Sequence, residues 1–273
     1  MSSKACVKAV RIGIGAVVVL FAIVAPRASA AEKLKEDDAK ATGKGMAAIE
    51  HAARANKYLF VLFYKTEDEA TQAMRKVFDH AVKKVVEKAD SVQINVTDSS
   101  EKGIVEKLGV DRAPMPLVLA LAPNGAVTGG FPKKVEEQQL LNAFATPCLA
   151  KCLKVLQEGK VVFLCIQNKE TRSNDDAMKG VKDFKADARF AELTEIVTLD
   201  PSDKAEAKLV SDLQIDPNVK EATTVFLAPP GAVIGKFTGA TTKEKLTAAL
   251  TAAMSSGGGC CGGGSGGGCG PSK

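Results

Sequence analysis

The stretch APNGAVTGGF (residues 122–131) returns as APPGAVIGKF (residues 228–237), 106 residues later. Upstream, LGVD (108–111) returns as LQID (213–216) after 105 residues, and YLFVLFYK (58–65) has its counterpart in KVVFLCIQ (160–167) after 102. Matching segments in one order at a nearly constant offset mean that one supersecondary unit has been used twice. Any fold for this chain must therefore fit into about a hundred residues and be built two times over.

Each copy reads alike. A helix (GMAAIEHAARA; PCLAKCLKVLQEG) precedes a continuous apolar run (YLFVLFY; VVFLCIQ) of the length of a buried strand. A polar loop and a second helix follow, then a strand (VQINV; EIVTL) and a short helix (EKGIVEKLG; KAEAKLVSDLQ). Two strands then flank the Pro-Gly or Asn-Gly turn as a hairpin, and a last helix closes the unit (VEEQQLLNAFA; TKEKLTAALTAAM). The pattern is that of an α/β fold, a mixed sheet with helices on both faces. The expected boundaries are 40–146 for the first domain and 147–254 for the second.

The ends read differently. Lys4, Lys8 and Arg11 precede the apolar IGIGAVVVLFAIVA (12–25), and Ala28-Ser29-Ala30 follows. A basic start, a short apolar core and an A-x-A site predict a signal peptide over residues 1–30 and export to a periplasmic or extracellular space. The whole chain carries 37 Lys and Arg against 32 Asp and Glu; without the four basic residues of the leader the balance is 33 to 32, or +1. A near-neutral chain is no candidate for nucleic acid, and no later segment is long and apolar enough to span a membrane. The last residues, 255–273, are rich in glycine and carry Cys260, Cys261 and Cys269. Such a stretch predicts a disordered tail, because glycine loses too much backbone entropy on ordering.

The order of elements resembles that of the thioredoxin-like superfamily over nearly all of residues 40–254. In VDRAPMPLVLALAPNGAV, Pro116 stands where that family carries a cis-proline before its hairpin; in the second copy Ala222 or Thr223 falls there. The resemblance implies a polypeptide-binding groove beside that proline, with Met115, Pro116 and Leu117 as its candidates. It also implies a Cys-x-x-Cys pair at the helix after the first central strand. This sequence has KTEDEATQAM there, with Asp68 and Thr71 near the two thiol positions, and NKETRSNDDAM in the second copy. The reactive pair is missing twice.

Six cysteines remain beyond the leader. Cys165, set opposite Phe63 by the strand alignment, reads as core. Cys148 and Cys152 lie on a helix that Thr146 caps and Pro147 opens. Cys148 falls in its first turn, where the helix dipole favours a thiolate. Two thiols at i and i+4 share a face, which suits a bound ion better than a disulfide, or else they are small residues at a domain seam. The tail thiols can pair with other sulfurs or hold a soft ion such as Cu(I) or Zn. His51 and His80 read as surface residues.

These observations support an exported polypeptide-binding or scaffold protein, redox-inactive at the usual site and leaning away from enzymatic activity. It would take polypeptide or another exported protein as partner and self-associate through tail disulfides. The alternatives are a thiol-disulfide oxidoreductase using Cys148, Cys152 or the tail, and soft-metal binding through Cys260, Cys261 and Cys269.

Overall fold

The computed structural model describes residues 43–256. The expected signal peptide and the tail with Cys260, Cys261 and Cys269 lie outside the described residues.

The chain runs α1 (Lys44–Arg54), β1 (Tyr58–Tyr64), α2 (Glu69–Lys84), β2 (Ala89–Asn95), α3 (Lys102–Leu108), β3 (Leu117–Leu121), β4 (Val127–Pro132) and α4 (Glu137–Leu141). It then repeats this order as α5 (Pro147–Gln157), β5 (Val161–Ile166), α6 (Asn174–Lys185), β6 (Thr194–Leu199), α7 (Ala207–Asp212), β7 (Thr223–Ala228), β8 (Ala232–Thr238) and α8 (Lys243–Ser256). Two separate four-stranded sheets form, ordered β2-β1-β3-β4 and β6-β5-β7-β8. In each, the leading strand pairs in parallel with its second strand and antiparallel with its third.

Leu59, Phe60, Val61, Leu62 and Phe63 of β1 are all at most 2% exposed. Burial on both faces is what their continuous apolar run encodes, and each large side chain contributes about 1.5–3 kcal/mol. Leu59, Val61 and Phe63 pack with Ile94, Ile104 and Leu119 on one face. Phe60 and Leu62 meet Met74, Phe78 and Leu140 on the other. In the second repeat, Val162, Leu164 and Ile166 pack with Cys148, Cys152 and Leu209, and Phe163 and Cys165 with Phe184, Phe226 and Leu246.

The register corrects the sequence alignment by one residue. Leu62 sits opposite Val118, which faces Phe131; Cys165 sits opposite Thr224, which faces Phe237. Cys165 therefore occupies the place of Leu62, not of Phe63. In a strand, a slip of one residue moves a side chain to the other face of the sheet.

The closing helix of the first repeat is also shorter than its sequence suggests. Helix α4 spans five residues. Beyond it, the Tyr58 hydroxyl donates to the Ala145 carbonyl at 2.7 Å and accepts from the Ala145 amide at 3.0 Å. Thr146, before Pro147, is extended, as a residue preceding proline prefers. The clamp and the proline turn the chain directly into α5. Against this joint Ala122, Ala126 and Ala150 are buried together, and the Gln157 amide pairs with both the N–H and C=O of Val127, at 2.9 and 2.7 Å.

A buried carboxyl group opens the first helix of each repeat. Glu101, 2% exposed, accepts from the Lys44 amide at 3.1 Å and the Gly45 amide at 2.9 Å. Glu206, 5% exposed, accepts from the Cys148 amide at 2.7 Å. Pro147 stands where Lys44 does and has no N–H to give, so Glu206 Oε2 is buried without a partner. The helix N-terminus supplies unpaired donors, and these acids meet them from 56 to 58 residues away. Replacing Glu101 with Ala is expected to cost about 1–3 kcal/mol by stranding two amides, and Glu206→Ala less, because it strands one and removes an orphaned oxygen. Urea unfolding followed by far-ultraviolet circular dichroism checks the order, the chain having no tryptophan.

Candidate functional site

The C-terminal end of each central strand is where the loop to the next helix meets the turn before the hairpin. In the first repeat, Asp68 caps α2 through a 2.8 Å bond from the Thr71 amide to its Oδ1, and Thr66 Oγ1 donates to its Oδ2 at 2.9 Å. These two bonds, the amide first, hold the Asp68 carboxyl below its usual range. Arg75 grips Glu67 through two bonds, at 2.6 and 2.7 Å, and lies 5.0 Å above the Tyr64 ring. The loop is a small polar structure with no sulfur in it.

Facing it is the segment before β3. The Met115–Pro116 peptide bond is cis. Pro116 and Leu117 are buried, and Met115 is half-buried against the core. Among the described residues, neither the Met115 backbone nor the Pro114 carbonyl makes a hydrogen bond.

Strand order, the mix of parallel and antiparallel pairs and the cis-proline before the hairpin now stand together. In strand order both repeats have a thioredoxin-like fold. No family model matches the chain, and no curated protein matches it. Among solved structures, the thioredoxin Deadhead of Drosophila melanogaster is 21% identical, with 37% of this chain and 90% of that chain covered and a TM-score of 0.30. Thioredoxin O2 of Arabidopsis thaliana, in its oxidized state, is 13% identical over 37% of this chain and 84% of that one, with a TM-score of 0.31. The first two thioredoxin domains of Saccharomyces cerevisiae Eps1p are 10% identical and cover 70% of this chain and 87% of that chain, with a TM-score of 0.28.

The second domain is built differently at the same place. Seven residues (167–173) join β5 to α6, against four (65–68) between β1 and α2. Asn168, Thr171 and Asn174 bond to one another in this loop, with Thr171 Oγ1 donating to Asn174 Oδ1 at 2.7 Å. Ser173, the residue before α6, adopts φ 59° and donates through Oγ to Glu221 Oε2 at 3.0 Å. Arg172 forms a parallel bridge with Glu221, just before β7. Ala222, 1% exposed, takes the position of Pro116.

The described cysteines lie in the core of the second domain. Cys148, Cys152 and Cys165 are free thiols, and all three are buried. The hydrogen bond between Cys148 and Cys152, then burial and the nearby Glu206 carboxyl, push the Cys148 thiol far above the ordinary range, and the same bond draws the Cys152 thiol down. Burial likewise raises Cys165 to about 11. Among the described residues no cluster of three His, Cys, Asp or Glu side chains could hold a metal, so Cys148, Cys152 and Glu206 do not make one. His51 and His80 are exposed and pair with Asp90 and Glu137 respectively.

Sequence reasoning missed Glu101 and Glu206. Their signal was there, in the repeated D-x-x-E of DSSE (98–101) and DKAE (203–206), where Asp98 and Asp203 each cap the turn that presents the glutamate. Treating the native protein with iodoacetamide should leave Cys148, Cys152 and Cys165 unmodified, and denaturation should expose all three. Peptide mass mapping reads the result; about a hundredfold protection is expected from closed-state burial.

Proposed function

We propose that this chain is an exported thioredoxin-like protein that binds extended polypeptide and does not exchange disulfides at the usual thioredoxin site. The observation that carries the reading is Asp68. Its carboxyl group caps α2 at the place where the fold would present its first thiol, accepting the Thr71 amide at 2.8 Å. A carboxylate there is a good helix cap and no nucleophile toward a disulfide. What remains of the site is a cis-proline turn with unpaired backbone groups at Pro114 and Met115, suited to the main chain of an extended ligand.

The leader over residues 1–30 supports export. The burial of Cys148, Cys152 and Cys165 bears on the tail, since no described cysteine is exposed to pair with Cys260, Cys261 or Cys269. Those thiols are then directed to one another, to other molecules or to a soft ion. Tethering to a second copy or to another exported protein is the role we assign them.

Two measurements test this. Insulin reduction by dithiothreitol should proceed at the uncatalysed rate with the protein present; turnover that disappears in Cys148→Ser would establish the oxidoreductase instead. Fluorescence anisotropy with a labelled, reduced and carboxymethylated insulin B chain should report binding. Met115→Glu, which copies the Glu221 of the second domain, should weaken that binding about tenfold, or 1.4 kcal/mol. Equal affinity in the variant would rule out the Met115 edge.

A further inference from the structure

The rim of the first domain's cis-proline turn is basic. Phe63 pairs with Leu117, so Lys65 and Met115, each two residues past that pair, lie at the same end of the sheet. The Lys133 amide donates to the Pro116 carbonyl at 2.6 Å, which seats Lys133 against the proline, with Lys134 next in the chain. Arg112 comes three residues before Met115, its side chain 95% exposed. Lys65, Lys133 and Lys134 are exposed too, and none of their ammonium groups has a hydrogen bond or ion pair among the described residues.

The acids nearby are already engaged. Arg75 holds Glu67, the Asp68 carboxyl accepts from the Thr71 amide and the Thr66 hydroxyl, and Asp111 lies 3.6 Å from Arg112. Lys133 also sits in a costly backbone conformation. Its φ is 65°, in the left-handed region that glycine enters freely and lysine does not. The second domain has Gly239 at this place, with φ 73° and the same bond, from its amide to the Ala222 carbonyl at 2.7 Å. A lysine thus stands where the fold is satisfied by glycine, and strain of this kind gathers at ligand-binding positions. Asn168 and Ala240 take the places of Lys65 and Lys134 in the second domain, and Glu221 that of Met115, beside Lys220.

We infer that the first domain takes acidic polypeptide, an extended segment whose carboxylates meet Lys65, Arg112 and Lys133 while its backbone lies against the Met115 turn. The inference rests on the polypeptide-binding reading and adds the chemistry of the ligand. Alternate side chains of an extended segment point the same way about 6.6–6.8 Å apart, so carboxylates at every second position face one rim together. Ion pairs exposed to solvent are individually weak and are screened by salt. Selectivity therefore comes from several cations acting at once, and it fades as salt is added.

The test uses the full chain and three amidated decapeptides, each carrying the same neutral dye, in which valine alternates with aspartate, asparagine or lysine. Fluorescence anisotropy reads their affinities at about 20 mM and about 500 mM salt, where the Debye length is about 20 Å and about 4 Å. At low salt the aspartate peptide should bind at least about tenfold more tightly than the asparagine peptide, and the lysine peptide more weakly than either. At high salt the aspartate advantage should fall below about threefold. Lys133→Gly, which copies Gly239 and suits the backbone there, should cut the low-salt advantage about threefold. Adding Lys65→Gln should bring it below about threefold. Equal affinity for the aspartate and asparagine peptides would overturn the inference and leave the binding reading intact; no binding of any of the three would overturn both. An aspartate advantage that survives undiminished in the double variant would also overturn it, because the charge being read would then lie elsewhere on the chain.

Discussion

Each domain depends on a central strand that is buried on both faces and paired on both edges. Leu59 to Phe63 in β1, and Val162 to Ile166 in β5, have no solvent to face and no free ladder groups to offer. Helices must therefore cover both sides, and the chain can show chemistry only where the strand ends. At that end the loop to the next helix is brought against the turn before the hairpin. The same geometry that could present a dithiol presents a carboxyl cap in one domain and a strand latch in the other.

The duplicated unit has been altered in three places while its frame was kept. At the first helix the acid from the D-x-x-E turn is retained, but Pro147 in place of Lys44 leaves one carboxyl oxygen of Glu206 unpaired. At the hairpin of the first domain Ala126 is buried against Ala150 of α5, while its counterpart Ala232 in the second domain is exposed. At the edge, proline or alanine decides whether a backbone donor exists. None of these changes disturbs the apolar strands, which is why the frame tolerates them. Surface exchanges at strand ends cost far less than a cavity or a polar group in the core.

Much of this was legible in the sequence. The repeat, the apolar strands and the missing dithiol all rest on local patterns, and the Thr146–Pro147 helix start was readable as a cap followed by proline. The strand alignment failed by one residue because a fully apolar run has no alternation to fix its register; only pairing with Val118 and Thr224 does so. At Cys148, the hydrogen bond to Cys152 and burial act against the thiolate that its place in the helix favours. A helix N-terminus favours negative charge, but Glu206 had already taken that position, from 58 residues away.

The sequence by itself determined that one α/β unit is built twice and that neither copy carries the reactive sulfur pair, because those facts are written in neighbouring residues. Tertiary structure decided which of the described thiols are buried, which acid caps which helix and where the loop after β5 meets the turn before β7. Each of these turns on a contact between groups about 50 or more residues apart, such as Arg172 with Ala222, and no local pattern encodes which two backbone groups a folded chain will bring within 2.9 Å.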